Sequence, residues 1–240
     1  MKTATKQESV ILGNIVINTG SLLIIDPCYI EGKERNPMLD VCIPMPNGVH
    51  SVIGIRMDGR IGMIGIGTKS GSVKEVGAFG VDSGQVLLCD VADVPKFGEA
   101  PDGEDTFDYH QPLVDAKGNH YRFPKDFSGY DKLLKVATGI GFVTATVNKL
   151  IEDGHLVKVP RPKPSGRFSY HGCCECTLHD EFAHEDSCGQ LHEGDVTAVC
   201  SETGYGDGRY PVFSNGKGFV LIDFMDDENP TVKFMRTIMK

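Results

Sequence analysis

The sequence predicts a mainly β protein, an antiparallel sandwich or strongly bent sheet with one or two peripheral helices. Three observations predict it. The apolar runs are short and rich in β-branched residues, turn residues that include 29 glycines separate them, and helical spacing of apolar residues is confined to the middle of the chain. With 240 residues and 40% apolar content the chain can bury a substantial core. We therefore expect one β-rich domain over 1–240, with a candidate internal boundary near 159–166.

The amino-terminal third contains four predicted strands: VILGNIVIN (10–18), SLLIID (21–26), VHSVIGIRM (49–57) and RIGMIGIG (60–67). Asp58-Gly59 joins the last two at hairpin spacing. An internal echo links VINTGSLLIID (16–26) with GVDSGQVLLCD (80–90), since each has an apolar segment, a hydroxyl residue before Gly, an apolar strand and an Asp. The echo predicts two weakly similar halves, with coincidence between alternating strands as the alternative.

Residues 95–130 are polar and rich in Pro, Gly and Asp, which is typical of a long excursion from the sheets. The helices are predicted at GYDKLLKVA (129–137) and at TVNKLIEDG (146–154), where Gly154 suits the position after a helix. An extended, proline-rich strap follows at 159–166. The rest of the chain again reads as strands: YPVF and FVLIDF form a hairpin through Asn215-Gly216, and TVKFMRTIM (231–239) adds a further strand.

Charge and hydropathy exclude several classes of partner. Lys and Arg number 24 against 33 Asp and Glu, for a net charge of −9, and no basic run could neutralise a long nucleic acid. No apolar run approaches the length of a membrane span, and the polar start MKTATKQESV lacks a secretory signal. We therefore expect a cytoplasmic protein with its eight cysteines reduced. A small anionic ligand remains compatible, because a few backbone amides can hold one.

A cysteine- and histidine-rich segment, 170–193, raises the question of a metal. The spacings of Cys173, Cys176, Cys188 and His192 are compatible with a tetrahedral zinc site. Alternative ligands in the same segment are His171, Cys174, His179 and His184. The competing interpretation is ordinary thiols on a strand and a loop, because CCECTL also reads as a β segment.

Three glycines alternate with Tyr205 and Asp207 in the segment GYGDG (204–208). Glycine permits backbone conformations and close approaches that other residues cannot adopt. One interpretation is a bulged turn in which Asp207 caps its own amides. The other is a rigid loop that presents the Asp207 carboxylate beside exposed amides.

Three motifs together resemble a known family: GSLLIIDPCYI (20–30), GVDSGQVLLCD (80–90), and CSETGYGDGRYPVF (200–213) followed by FVLIDF. The family they resemble consists of uncharacterised β-rich domains of unknown function that are found in bacteriophage and bacterial genomes. Nothing in residues 95–165 contributes to the resemblance. Because the family has no assigned activity, the resemblance implies a shared architecture and a phage origin, and no chemistry.

If the three motifs converge, their polar side chains line one locus next to Cys28. The expected ligand-binding residues are Asp26, Tyr29, Asp82, Ser83, Gln85, Gly206, Asp207 and Tyr210. Hydroxyl, amide and carboxylate groups beside glycine amides suit a small polar, nucleotide-like ligand. The first hypothesis is thus a soluble binding module, for example a phage accessory or counter-defence protein that acts in the host cytoplasm.

Two other functions remain open at this stage. One is a hydrolase that uses Asp26, Asp82 and Asp207 to hold a divalent cation or to share acid and base roles. The other is a structural or virion-associated β protein. The sequence leaves open which ligand or substrate is involved, whether there is catalysis, and which oligomeric state the chain adopts.

Overall fold

The computed structural model describes residues 7–31, 34–57, 60–68, 71–98, 111–123, 147, 149–159, 166–177 and 189–225. The strands pair in antiparallel sheets, so the predicted mainly β fold is confirmed. The contacts divide the chain into two compact units: unit 1 comprises Met1–Thr106, Pro164–Leu178 and Asp186–Lys240, and unit 2 comprises Phe107–Lys163 and His179–Glu185. The chain re-enters unit 1 at Pro164, which lies inside the segment 159–166 that the sequence offers as an internal boundary.

The strands are, in chain order, β1 (Gln7–Ile17), β2 (Ser21–Ile25), β3 (Ile30–Glu31), β4 (Glu34–Arg35), β5 (Val41–Pro44), β6 (Gly48–Met57), β7 (Arg60–Ile66), β8 (Lys74–Val81), β9 (Gln85–Asp90), β10 (Gln111–Asp115), β11 (His120–Phe123), β12 (Leu156–Lys158), β13 (Gln190–Glu193), β14 (Val196–Glu202), β15 (Gly208–Ser214) and β16 (Val220–Asp223). Helix α1 spans Tyr170–Thr177, and 3-10 turns span Pro27–Tyr29 and Val91–Lys96.

Unit 1 is a sandwich of two sheets. One sheet has six strands in the order β1-β6-β7-β16-β15-β8, and the other has five in the order β13-β14-β9-β2-β5. One apolar core contains buried residues from both sheets, among them Leu22 and Ile24 of the five-stranded sheet and Ile64 and Val212 of the six-stranded sheet. Side chains alternate across a strand, so this core accounts for every second residue of β2 and β9.

The other face of the five-stranded sheet is also buried. Leu23 and Cys89 point into a second core, which α1 and the turn Val91–Lys96 complete with residues such as Cys173 and Val94. Burial on both faces explains why β2 and β9 read as uninterrupted apolar runs. This second core is therefore specified by the same strands that specify the first.

The prediction of a strand at CCECTL is wrong, because the structure has the helix α1 there. The Ser169 hydroxyl accepts a hydrogen bond from the Gly172 N–H at 3.1 Å, and the Ser169 carbonyl accepts one from the Cys173 N–H at 2.9 Å. A helix brings Cys173 and Cys176, three residues apart, to one side, where both are buried in the second core. Helix packing against the sheet decides the conformation of this segment.

The predicted internal similarity corresponds to a structural duplication. The same succession of elements occurs twice: β1, β2, Pro27–Tyr29, β5, β6, β7 in the first half and β8, β9, Val91–Lys96, β14, β15, β16 in the second. In the six-stranded sheet the equivalent strands therefore lie at equal distances from the two edges, β1 and β8 at the edges themselves. In the antiparallel pair of β2 and β9, Ile24 lies opposite Leu88, and Leu88 is also the residue of the second half that is equivalent to Ile24. An approximate two-fold axis therefore passes between β2 and β9.

Both predicted hairpins are confirmed. Strands β6 and β7 pair up to Met57 and Arg60, and the two residues predicted to form the turn, Asp58 and Gly59, lie outside the described residues. Strands β15 and β16 pair across a turn in which Gly216 has a φ of +67°. The helix predicted at 129–137 and the strand predicted at 231–239 also lie outside the described residues.

Unit 2 contains a three-stranded sheet in the order β11-β10-β12. Its small core contains Leu113, Val147 and Leu156. Residues 149–152 are helical and Gly154 follows them with a φ of +74°, as the sequence predicts. The segment 95–130 nevertheless includes β10 and β11, which the sequence does not predict because both strands are short and polar. In the described parts of both units, no helix combines the length and the apolar character needed to cross a membrane.

Asp115 in unit 2 gives a pH prediction. Its carboxylate accepts hydrogen bonds from the Asn119 side chain at 2.8 Å and the Asn119 N–H at 2.9 Å, and these lower its pKa from 3.8 to about 2. Because the folded pKa lies below the unfolded value, the stability from this group is complete above about pH 4 and is lost as pH falls towards 2. We expect an NMR titration of the Asp115 carboxyl to give a midpoint near 2, whereas a midpoint near 4 would contradict this hydrogen-bonded turn.

Candidate ligand-binding site

The Asp26 carboxylate joins the first two sequence motifs. Its Oδ2 accepts hydrogen bonds from the backbone N–H groups of Asp82 at 2.7 Å and Ser83 at 2.8 Å. Its Oδ1 accepts from the Ser83 hydroxyl at 2.5 Å and from the Cys28 N–H at 2.9 Å. Asp26 is fully buried, and these four donors fill the acceptor positions of its carboxylate. We call this arrangement the first clamp.

A second clamp stands at the equivalent place in the other half. The Oδ2 atom of Asp90 accepts from the N–H groups of Asn18 at 2.6 Å and Thr19 at 2.8 Å. Its Oδ1 accepts from the Thr19 hydroxyl at 2.5 Å and the Ala92 N–H at 2.9 Å. Burial by itself raises the pKa of Asp90, but these hydrogen bonds outweigh it and the pKa lies below its ordinary value. Since both halves contain the clamp, its primary role is structural.

The side chains around the two clamps differ. This difference distinguishes the residues that the turn needs from those that are candidates for ligand binding. The first clamp is surrounded by Cys28, Tyr29, Asp82 and Gln85, where the second has Ala92, Asp93, Asn18 and Ser21. The second half forms the same turn although none of these four positions keeps the chemical group that the first half has there. The four side chains of the first half are therefore free to serve another purpose.

The polar side chains near the first clamp interact with one another. The Tyr29 hydroxyl is hydrogen-bonded to the Asp82 carboxylate, and this contact is the main cause that raises the pKa of Tyr29. Burial raises the pKa of the Cys28 thiol, and the Asp26 carboxylate raises it further. Cys28 and Tyr29 are therefore protonated at neutral pH. They can donate hydrogen bonds, but Cys28 is not an activated nucleophile.

Helix α1 adds two residues to this locus, Tyr170 and Cys174. Burial is the largest cause that raises the pKa of Tyr170, and Cys174, Cys28 and Asp26 add to it. Burial likewise raises the pKa of Cys174. From the sequence, Cys174 is either an alternative metal ligand or an ordinary thiol. Neither Cys174 nor Tyr170 is predicted at this locus, because no spacing along the chain relates α1 to the first clamp.

Gln85 occupies the buried side of the locus. Its side chain is 1% exposed, and Nε2 donates to the Cys174 Sγ at 3.6 Å. Its Oε1 has no hydrogen-bond partner among the residues that the structure describes. A buried amide oxygen without a partner is destabilising, so this atom is the unexplained polar group of the site.

The third motif reaches the same region through its backbone. The Thr203 N–H donates to the Gly84 carbonyl at 2.9 Å, and the Gly206 carbonyl accepts from the Thr203 hydroxyl and the Tyr210 hydroxyl, each at 2.8 Å. The first half has a shorter loop with the same device, since Nε2 of His50 lies 2.7 Å from the Pro46 carbonyl. This similarity favours the interpretation of GYGDG as a bulged turn.

The eight sequence-predicted ligand-binding residues thus fall into two groups. Asp26, Tyr29, Asp82, Ser83 and Gln85 lie together at the first clamp. Gly206 and Tyr210 hold the third motif next to Gly84, and the Tyr210 ring packs edge-on against Phe224 with ring centroids 5.1 Å apart. Asp207 is exposed, and its charge acts on the Tyr210 hydroxyl.

The described residues do not fit the predicted metal sites. Among them, no three His, Cys, Asp or Glu side chains lie together in a way that could hold a metal ion. Cys173 and Cys176 are buried in the second core, and His192 is exposed on β13. Cys188, His179 and His184 lie outside the described residues. For the hydrolase hypothesis, the four donors on Asp26 leave that carboxylate no position for a cation.

Comparison of the chain with models of protein families, with curated proteins and with solved structures finds no match.

Proposed function

We propose that this chain is a binding module for a small polar, nucleotide-like ligand, with its site beside the first clamp. The observation that carries the proposal is the buried Gln85 Oε1, which has no partner among the described residues. Such a group costs about 1–3 kcal/mol. A ligand that donates an N–H to this oxygen would remove that cost on binding.

The neighbouring groups support binding over catalysis. Tyr29, Tyr170 and Cys28 keep their protons at neutral pH, and Asp82 provides an exposed carboxylate. A few polar groups that converge beside apolar surface are typical of small-molecule sites. Together with the resemblance to phage-encoded domains, this chemistry leads us to extend the proposal to an accessory or counter-defence protein that captures a host small molecule.

The test uses the nearly isosteric change Gln85→Met. Because Oε1 has no partner in the described structure, we expect the free protein to keep its stability or to gain up to about 1 kcal/mol. Ligand binding should weaken at least about tenfold. The panel consists of adenosine, guanosine, cytidine and uridine with their 5′-monophosphates at millimolar concentration. Thermal shift would identify responses, calorimetry would give affinities, and native mass spectrometry would show any retained ligand.

The duplication provides a matched control. Asp82 and Asn18 are both exposed, and each contributes only its backbone N–H to a clamp. We expect Asp82→Ala to weaken ligand binding and Asn18→Ala to leave it unchanged, with effects on stability that differ by no more than the hydrogen bond between Asp82 and Tyr29. If no panel compound binds and Gln85→Met destabilises the free protein by more than about 1 kcal/mol, Gln85 is a structural residue and the proposal fails.

A further inference from the structure

We propose that the ligand presents an N–H-donating group, uncharged or cationic, to the Asp82 and Gln85 side of the locus, and that an anionic group is excluded there. The inference rests on the proposed function and specifies the class of ligand. Its basis is the arrangement of acceptors and charges around the first clamp.

The groups that Gln85 and Asp82 offer to a ligand are acceptors. The carboxamide of Gln85 has its donor end engaged with the Cys174 Sγ at 3.6 Å, which leaves Oε1 for the ligand. The Asp82 carboxylate is exposed and interacts with the Tyr29 hydroxyl. An amide oxygen and a carboxylate are satisfied by N–H donors, and a carboxylate favours a charged donor.

The local charge has one sign. Asp26 and Asp82 are the carboxylates that act on Cys28 and Tyr29, and Asp26 also acts on Tyr170 and Cys174. Among the described residues, no basic side chain is one of the main causes that shift the pKa of these four groups. A phosphate or carboxylate placed here would meet the same negative potential without a compensating cation.

In the second half, a buried carboxylate with a structural role forms a salt bridge within the chain. Asp93, the counterpart of Tyr29, is buried and pairs with Lys96 at 3.1 Å, and the same ammonium contacts Asp195 at 2.8 Å. Asp82 has no such salt bridge within the described parts of the chain. The unpaired carboxylate of the first half is therefore the one that can accept a cation from outside.

Three small compounds on one planar skeleton test the inference: benzamidine is cationic, benzamide is neutral, and benzoate is anionic and offers no N–H. Titration of the full-length protein at neutral pH would follow the Gln85 side-chain amide and the Asp82 and Ser83 backbone amides by NMR. We expect benzamidine to bind at this locus at least about tenfold more tightly than benzoate, with benzamide between them.

Two variants show which side chain causes the preference for a cationic N–H donor. Asp82→Asn should bring benzamidine and benzamide to within about twofold of each other, whereas Gln85→Met should weaken both. Asn18→Ala should change neither. Tighter binding of benzoate at these amides would overturn the ligand class and leave the binding proposal standing. Absence of a local response to all three compounds would also overturn it, and the nucleoside panel would then decide the proposed function separately.

Discussion

Replacement of Asp26 by alanine is expected to lower the free energy of unfolding by about 3 kcal/mol. The change removes the acceptors of three backbone N–H groups, those of Cys28, Asp82 and Ser83, and of one hydroxyl. Each buried donor left without a partner costs about 1–3 kcal/mol, and partial exposure of this turn places the total near the lower end of the sum. Urea unfolding followed by far-UV circular dichroism would measure the loss.

Two other aspartates serve as controls for this measurement. Asp90→Ala should cost a similar amount, because the second clamp has the same set of donors. Asp207→Ala, at an exposed position, should stay within about 0.5 kcal/mol of the wild type. A loss below about 1 kcal/mol for both clamp variants would show that other contacts hold the two turns together.

Replacement of Gly204 by alanine is expected to cost at least about 3 kcal/mol. Gly204 has a φ of +68°, and a Cβ at this position would lie 2.2 Å from the Ile61 carbonyl oxygen and 2.9 Å from the Ile61 nitrogen. Backbone atoms cannot move aside as a flexible side chain can. Either β7 or the loop must shift, and the contact between Thr203 and Gly84 would be disturbed with it. Thermal and urea unfolding would measure the loss.

Gly206 is the matched control for Gly204. Its φ of +83° is also in the left-handed region, but no atom of the described residues lies within 4 Å of a Cβ added there. Gly206→Ala should therefore cost only the conformational term, about 1–2 kcal/mol. Equal losses in the two variants would show that backbone conformation alone, and not the approach of Ile61, requires Gly204.

Local patterns were sufficient to predict much of unit 1. Strands β1, β2, β6 and β7 follow from short β-branched runs with turn residues between them, and both hairpins follow from their turn residues. The echo between 16–26 and 80–90 anticipated the duplication because each clamp needs the same hydroxyl residue, glycine and aspartate. Helix α1 was not predicted, because its conformation depends on packing against a sheet formed by distant segments.

The candidate site was predictable only in part for the same reason. Motif chemistry brought Asp26, Asp82 and Ser83 into one hypothesis, and the structure places them in contact. The sequence could not show that the Asp26 carboxylate is filled by four donors, since hydrogen bonds across distant segments leave no trace in spacing. Nor could it bring Tyr170 to the locus, because that residue arrives on α1.

The duplication within one chain has a consequence for how the site can change. In a dimer of identical chains, every substitution at one copy of a turn appears at the other, so a residue harmful to either copy is unavailable to both. Covalent joining of the halves removes that restriction. One turn can retain the Asp93–Lys96 ion pair and stabilise the fold, while the equivalent turn acquires polar side chains without partners, such as Gln85, with no effect on the first turn.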